Sequence, residues 1–351
     1  MPRQPVRSAL DGARGALAAA AFVVALGAGG AQAAEQMATT SGFADYSKEG
    51  GVMKADPSCF FEKCGTQTKD CFSNPSCLKG ITCLGNCRAE QLCATRCFAR
   101  FGSEKLNAWL SCTLEEQKCV TTGADVDNSA FYADAPPVLK TFKPSELEGR
   151  WFKVRGYNEK YDCYPCQINE FTATPAGLDN RILFRVPKAD GSGFWQNDFV
   201  EHMRTDKGPQ GKASMTVEGK MFGLTFGEQW YVLGESDGTK NVPEFRLVAY
   251  KGDTQQGPYE GAFVYTKEFD SIEKSPALMA AIDSAAKAAG LDSAKFCVID
   301  NACPAAGGTI AGAGSEEGAK DKLEWKDLFE LAEWFRPGTL AKPTDFDPNK
   351  M

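Results

Sequence analysis

Gly149-Arg150-Trp151 opens a run of short alternating segments that continues to Thr266, including Ile182-Leu183-Phe184-Arg185-Val186 and Phe245-Arg246-Leu247-Val248-Ala249-Tyr250. Apolar residues at every second position place one face of such a segment in a core and leave the other toward water, which is the period of a half-buried strand. Glycine and proline punctuate the segments. About seven or eight strands of this kind imply a mainly β fold, an antiparallel barrel or sandwich.

Upstream of the strands the chain changes character. Ten of its fourteen cysteines fall between Cys59 and Cys119. Cys83 and Cys97 are centred on position 90, as are Cys87 and Cys93, which reads as two nested bridges across a helical hairpin turning at Arg88-Ala89-Glu90-Gln91. Residues four apart share one helix face, so each facing helix presents two thiols. Cys59, Cys64, Cys71 and Cys77 repeat the device, with Cys64/Cys71 nested inside Cys59/Cys77, and Cys112 and Cys119 remain as a local pair. So many cysteines point to an oxidising compartment. Zinc is disfavoured by the single histidine and by the absence of paired CxxC knuckles in this block. Cys163-Tyr164-Pro165-Cys166 is a CxxC, but a redox motif needs a helix N-terminus to activate its thiol, and this one precedes the strand-like Gln167-Ile168-Asn169-Glu170-Phe171. Two late cysteines, Cys297 and Cys303, favour structural bridges instead.

With 351 residues, 43% of them hydrophobic, the chain can bury a sizeable core, and its length suggests roughly two or three domains. Residues 1–33 read as a targeting segment: Arg3, Arg7 and Arg14 precede the apolar run Ala16 to Leu26, and Ala31-Gln32-Ala33 offers a small-residue cleavage site. The run is too short and alanine-rich for a membrane span. Its removal would take the formal charge from −7 to −9, a balance that disfavours nucleic acid. Such a segment suits a secretory pathway, a periplasm or a thylakoid lumen equally.

Residues 34–57 read as a polar leader, 58–121 as a cysteine-rich helical domain, 122–140 as a linker, and 141–304 as the barrel followed by a helix. In that helix Ser275 is the N-cap, Pro276 takes the first position, Leu278, Ile282, Ala285 and Ala289 share a face, and Gly290 closes it. Residues 305–320 form an Ala/Gly-rich tether. Residues 321–337 carry Trp325, Leu328, Phe329, Ala332 and Phe335 on one side of an amphipathic helix, a stripe that reads as a docking face on the same protein.

Asp198, Glu201, Glu228, Glu244 and Tyr250 all lie on predicted strands. For most of them a solvated face or a surface ion pair is the ordinary reading. Glu228, however, shares strand parity with Trp230 and Val232, and Tyr250 with Val248, so both point inward if those residues line the interior. A carboxyl in an apolar barrel has its pKa raised and becomes a proton donor. A Ser/His/Asp set has only His202 to draw on, and no phosphate loop is present.

Asn74-Pro75-Ser76-Cys77, Cys83-Leu84-Gly85-Asn86-Cys87, the lipocalin-type Gly149-x-Trp151 and Asp300-Asn301-Ala302-Cys303 together resemble the violaxanthin de-epoxidase family, over about residues 58–304. The resemblance implies an eight-stranded antiparallel lipocalin barrel with an N-terminal disulfide-rich α-helical domain and C-terminal helices. It implies an oxidoreductase of the xanthophyll cycle in the chloroplast thylakoid lumen, removing epoxide oxygen from violaxanthin with ascorbate as reductant co-substrate and no metal. Matched strand by strand, the family's proposed glutamine, aspartate and tyrosine fall at Glu201, Glu228 and Tyr250, with Trp230, Met203 and Val248 expected to line the substrate site. Two inward carboxyls would share a proton and raise one pKa. The resemblance also implies the bridges Cys59–Cys77, Cys64–Cys71, Cys83–Cys97, Cys87–Cys93, Cys112–Cys119 and Cys166–Cys303, to which Cys163–Cys297 is an addition. Expected partners are the carotenoid epoxide, the thylakoid membrane lipid surface and a second copy of the chain. Only the tyrosine of the three is kept, the family's barrel histidines have no counterpart, and its glutamate-rich C-terminal region is replaced by the tether and helix, which points to a de-epoxidase-like or de-epoxidase-related branch. Acid-catalysed rearrangement of violaxanthin to a neoxanthin-type product, non-catalytic carotenoid or lipid binding, and secretion are the alternatives.

Overall fold

The computed structural model describes residues 53–302 apart from 88–90, 123–128, 188–193, 222, 240 and 255–256. The targeting segment 1–33, the tether 305–320 and the helix 321–337 fall outside the described residues.

The cysteine-rich part is a set of short helices whose two ends are clasped. β1 (Met53–Ala55) pairs antiparallel with β2 (Val120–Thr122), and between them run α1 (Pro57–Glu62), α2 (Gly65–Phe72), α3 (Pro75–Cys87), α4 (Gln91–Phe101) and α5 (Glu104–Leu110), continued by a wider π turn, Ser111–Glu116. Asp56 caps α1 by accepting from the Ser58 and Cys59 amides, with Pro57 at the first helical position. Phe60, Leu78, Ile81, Leu106, Trp109 and Leu110 form the core of this part around the cystines.

The clasp decides the disulfides. Asp56 donates its amide to the Cys119 carbonyl at 2.8 Å, extending the β1–β2 ribbon, so Cys59 meets Cys119 and, one helix further in, Cys64 meets Cys112. Cys71 bridges Cys77 across the turn between α2 and α3. The expected pairs Cys59–Cys77, Cys64–Cys71 and Cys112–Cys119 are therefore corrected, because the paired ends of the domain bring distant cysteines within 5.4 and 5.9 Å Cα–Cα. Cys83–Cys97 and Cys163–Cys297 form as expected. Cys93 and Cys166 are also disulfide-bonded; the Cys87 side chain and Cys303, their expected partners, lie outside the described residues.

Eight antiparallel strands follow: β3 (Gly149–Gly156), β4 (Ile168–Thr174), β5 (Gly177–Pro187), β6 (Phe194–Arg204), β7 (Met215–Met221), β8 (Leu224–Ser236), β9 (Phe245–Thr254) and β10 (Gly257–Thr266). Each pairs with its neighbour in sequence, and β10 returns to β3 through Phe263↔Gly156 to Thr266↔Phe152, which closes a barrel and leaves no free edge among these strands. A sandwich is excluded by that closure. β11 (Cys297–Val298) lies along β3 beyond the end of β4, held there by the Cys163–Cys297 bridge.

Alternation then divides the barrel into two layers. Inward residues Trp151, Met203, Trp230, Val248, Tyr250 and Phe263 belong to one core, while outward Tyr231, Leu233, Leu247 and Ala249 belong to a second core under a helix, Pro276–Ala288. The Ser275 hydroxyl accepts from the Leu278 amide, Leu278, Ile282 and Ala286 are the buried residues, and Gly290 follows the helix at φ 77°. One barrel end is closed by Leu147 and Trp151, both 0% exposed; the indole N–H donates to the Leu147 carbonyl at 2.7 Å, with Lys267 and Arg246 over its ring at 3.8 and 5.3 Å.

Candidate active site

Strand parity turns two carboxyls and three phenols into the barrel, and one loop supplies a third carboxyl. Glu201 on β6 is 5% exposed, and its Oε2 accepts from Asn180 Nδ2 at 3.0 Å. Asn180 also donates to Asn169 Oδ1, which accepts from the Tyr265 hydroxyl at 3.0 Å. On β8, Glu228 accepts from the Trp230 indole N–H and from the Tyr259 hydroxyl, each at 2.7 Å. Tyr250 on β9 donates to Asp162 Oδ2 at 3.2 Å. Asp162, 1% exposed, comes from the loop after β3; it accepts from the Asn158 amide at 3.0 Å and pairs with Lys153 Nζ at 3.4 Å. Lys153 also lies 4.3 Å from the centre of the Phe263 ring.

Small residues make the space. A Cβ on Gly252 would stand 2.6 Å from Tyr259 Cζ and 2.9 Å from Glu228 Cγ, so only glycine lets that hydrogen-bonded pair lie against β9. Gly261 likewise leaves room for the Tyr250 ring.

Burial dominates the electrostatics. Loss of hydration pushes the Glu201 carboxyl up to about 8, with the Glu228 charge adding to it, while the Asn180 bond and Lys153 oppose. Glu228 is raised by burial too, against the bonds from Trp230 and Tyr259 and the charge of Lys153. Asp162 is raised by burial and held down chiefly by Lys153. Burial also pushes the Tyr250 and Tyr265 phenols well above their ordinary value, so both are neutral donors. Glu201 therefore holds its proton into the neutral range, and Lys153 is a cation facing the acids.

Of the residues singled out in the sequence, Glu201, Glu228 and Tyr250 share the interior with Trp230, Met203 and Val248, which are 2%, 2% and 0% exposed. Asp198 instead pairs with Arg181 on the outer face at 2.6 Å, and Glu244 lies just before β9, 3.6 Å from Arg246. His202 is also outside, 2.8 Å from Asp179, because it neighbours inward Glu201 on the same strand. Sequence reading missed Asp162, Lys153, Asn180, Tyr259 and Tyr265. Lys153 was detectable, two residues after inward Trp151, and both tyrosines share parity with Phe263. Asp162 carried no periodic signal, since a loop positions it.

The sequence profile of the VDE lipocalin domain matches residues 56–301. The chain is 29% identical over 252 residues to the chloroplastic violaxanthin de-epoxidase of Spinacia oleracea and 29% identical over 253 residues to that of Arabidopsis thaliana, covering 70% of this chain in both cases. It spans about half the length of these relatives, 51% and 52%. Among solved structures, lobster apocrustacyanin A1 is similar at 16% identity and a TM-score of 0.32, over 50% of this chain and 87% of that one.

Proposed function

We propose, from the premise that this chain belongs to the family of the VDE lipocalin domain, that it is a chloroplast violaxanthin de-epoxidase-type oxidoreductase acting on a xanthophyll epoxide in the thylakoid lumen. The observation that carries the reading is a buried acid on the inner wall, Glu201, that keeps its proton into the neutral range, with Glu228 raised by burial beside it and Tyr250 bonded to Asp162.

Opening an epoxide beside a polyene needs a proton on the oxygen while the conjugated chain spreads the positive charge that develops on carbon. Tyr250, neutral, is the donor nearest in kind to that task, giving its one hydroxyl proton to the epoxide oxygen when the substrate displaces the bond to Asp162. Glu201 holds the second proton, which follows when the oxygen leaves as water. Trp230, Met203 and Val248 would cover the apolar part of the substrate. The inner wall excludes bulk water, so a cationic intermediate is protected from capture.

Ascorbate, the reductant for this chemistry, supplies two electrons, and with two protons the C–O bonds give a C=C bond and water. Asn169 Nδ2 and Asn180 Oδ1, buried beside Glu201 without hydrogen-bond partners, are a donor and an acceptor fitted to a hydroxyl-rich molecule. Lys153 would attract its negative charge.

The test is to incubate the oxidised protein with violaxanthin in galactolipid micelles at acidic pH, with and without ascorbate, and to separate the pigments. Antheraxanthin or zeaxanthin formed only with ascorbate supports the proposal. An ascorbate-independent isomer would assign rearrangement instead, and unchanged violaxanthin retained by the protein would leave a binding lipocalin.

A further inference from the structure

The barrel end opposite Trp151 is covered by the cysteine-rich helices. Ala99 of α4 packs with inward-parity Ile182, Phe184 and Val186 of β5, and the Tyr164 hydroxyl donates to Thr95 Oγ1 at 3.2 Å. Lys220 Nζ donates to Ser111 Oγ at 3.2 Å, and the Glu115 carboxylate accepts from the Thr225 amide. A Cβ on Gly223 would stand 2.6 Å from the Asn107 carbonyl oxygen, so the β7–β8 turn lies directly on α5. The two parts are thus joined at several points around the rim.

Between these points a cleft of about 480 Å³ remains, and Phe98 of the helices faces Phe184, Asn197, Phe199 and Met221 across it. Those barrel residues share the parity of the interior. Phe199 precedes Glu201 by two positions on β6, Phe226 precedes Glu228 by two on β8, and the two rings meet edge to face at 6.0 Å. Phe184 continues the row at 6.2 Å from Phe199. An aromatic track therefore leads from the two glutamates to the cleft. At its outer end Asn197 is 5% exposed, yet its Nδ2 has no hydrogen-bond partner. An unsatisfied buried donor costs free energy unless something fills its place.

We propose that this cleft is a ligand subsite and the mouth of the barrel: an elongated apolar molecule lies along Phe226, Phe199 and Phe184, places an oxygen substituent at Asn197, and leaves beneath the cysteine-rich helices. Asn197 lies four strand steps before Glu201, a span of about 13 Å, so a single ring is too short to reach both. The helical part is then a cap that forms one wall of the binding site. The proposal rests on the candidate site described above, not on turnover.

Ala108 lines the cleft from an exposed position on α5, so Ala108→Trp fills the space without disturbing a core. Binding of all-trans-retinol, which has the length and a terminal hydroxyl, is compared with binding of β-ionone, which has only the ring, by equilibrium dialysis of the full disulfide-bonded chain. Retinol should bind wild type more tightly than β-ionone, and Ala108→Trp should weaken retinol about tenfold, roughly 1.4 kcal/mol, with β-ionone unchanged. Ala108→Ser should bind both as wild type does. Equal loss for both ligands, unchanged retinol affinity, no advantage of retinol over β-ionone, or binding of neither would each overturn the proposal. Lack of pigment turnover with this length-dependent binding intact would overturn only the proposed reaction.

Discussion

Replacing Glu201 by glutamine isolates the consequence of burying that acid. The substitution keeps shape and volume and leaves an oxygen to accept from Asn180. What it removes is a titration. In the unfolded chain the carboxyl ionises at its ordinary value of 4.5, whereas in the barrel it is pushed up to about 8. Below pH 4.5 both states carry the proton and nothing is lost. Between that value and the folded one, unfolding releases a proton, so stability falls as pH rises, by about 1.4 kcal/mol per pH unit. By pH 7 the loss from this group is roughly 3 kcal/mol relative to pH 4. Urea unfolding of the oxidised protein, followed by tryptophan fluorescence at a series of pH values, measures the slope. Wild type should lose stability toward neutral pH, and Glu201→Gln should flatten that decline and be the more stable protein at pH 7. Parallel curves for the two proteins would refute the reasoning.

Tyr250→Phe deletes the hydroxyl that donates to Asp162 but keeps the ring against Tyr259 and Phe263; violaxanthin turnover should disappear with the circular dichroism unchanged, and retained turnover would remove Tyr250 from the site. Gly252→Ala drives a methyl into the Tyr259–Glu228 pair and should cost about 1–3 kcal/mol in thermal or urea unfolding. A neutral result there would mean that β9 or the tyrosine ring shifts freely. Peptide mapping without reduction should recover Cys59 joined to Cys119 and Cys64 joined to Cys112, and a Cys59–Cys77 peptide would contradict the clasp. Removing the Cys59–Cys119 bridge, which closes a loop of 60 residues, should destabilise the helical part by about 4 kcal/mol.

Much of the barrel was legible along the chain because strand periodicity is local: inward Trp230, Val232 and Val248 identify the faces on which Glu228 and Tyr250 lie. The helix from Pro276 was equally plain, since its cap and stop are carried by Ser275 and Gly290. The disulfides were legible only in part. The symmetry about position 90 that marks Cys83–Cys97 extends further out, with Cys64–Cys112 centred on residue 88 and Cys59–Cys119 on residue 89. Reading the first four cysteines as a separate hairpin broke that symmetry, because three-residue strands at 53–55 and 120–122 give little periodic signal.

The sequence by itself determined the strand faces, the oxidising character of the chain and the inward parity of Glu228 and Tyr250, because each depends on residue type and on spacing within one element, whereas Glu201 was singled out only by the family resemblance. Tertiary structure decided closure over sandwich, the pairing of distant cysteines, and the company each acid keeps. Asp162 reaches Tyr250 across 88 residues of chain, and Lys153 meets both Asp162 and Phe263 inside the barrel. Burial and charge at a carboxyl depend on everything packed around it, so its proton affinity is a property of the closed barrel and not of its strand.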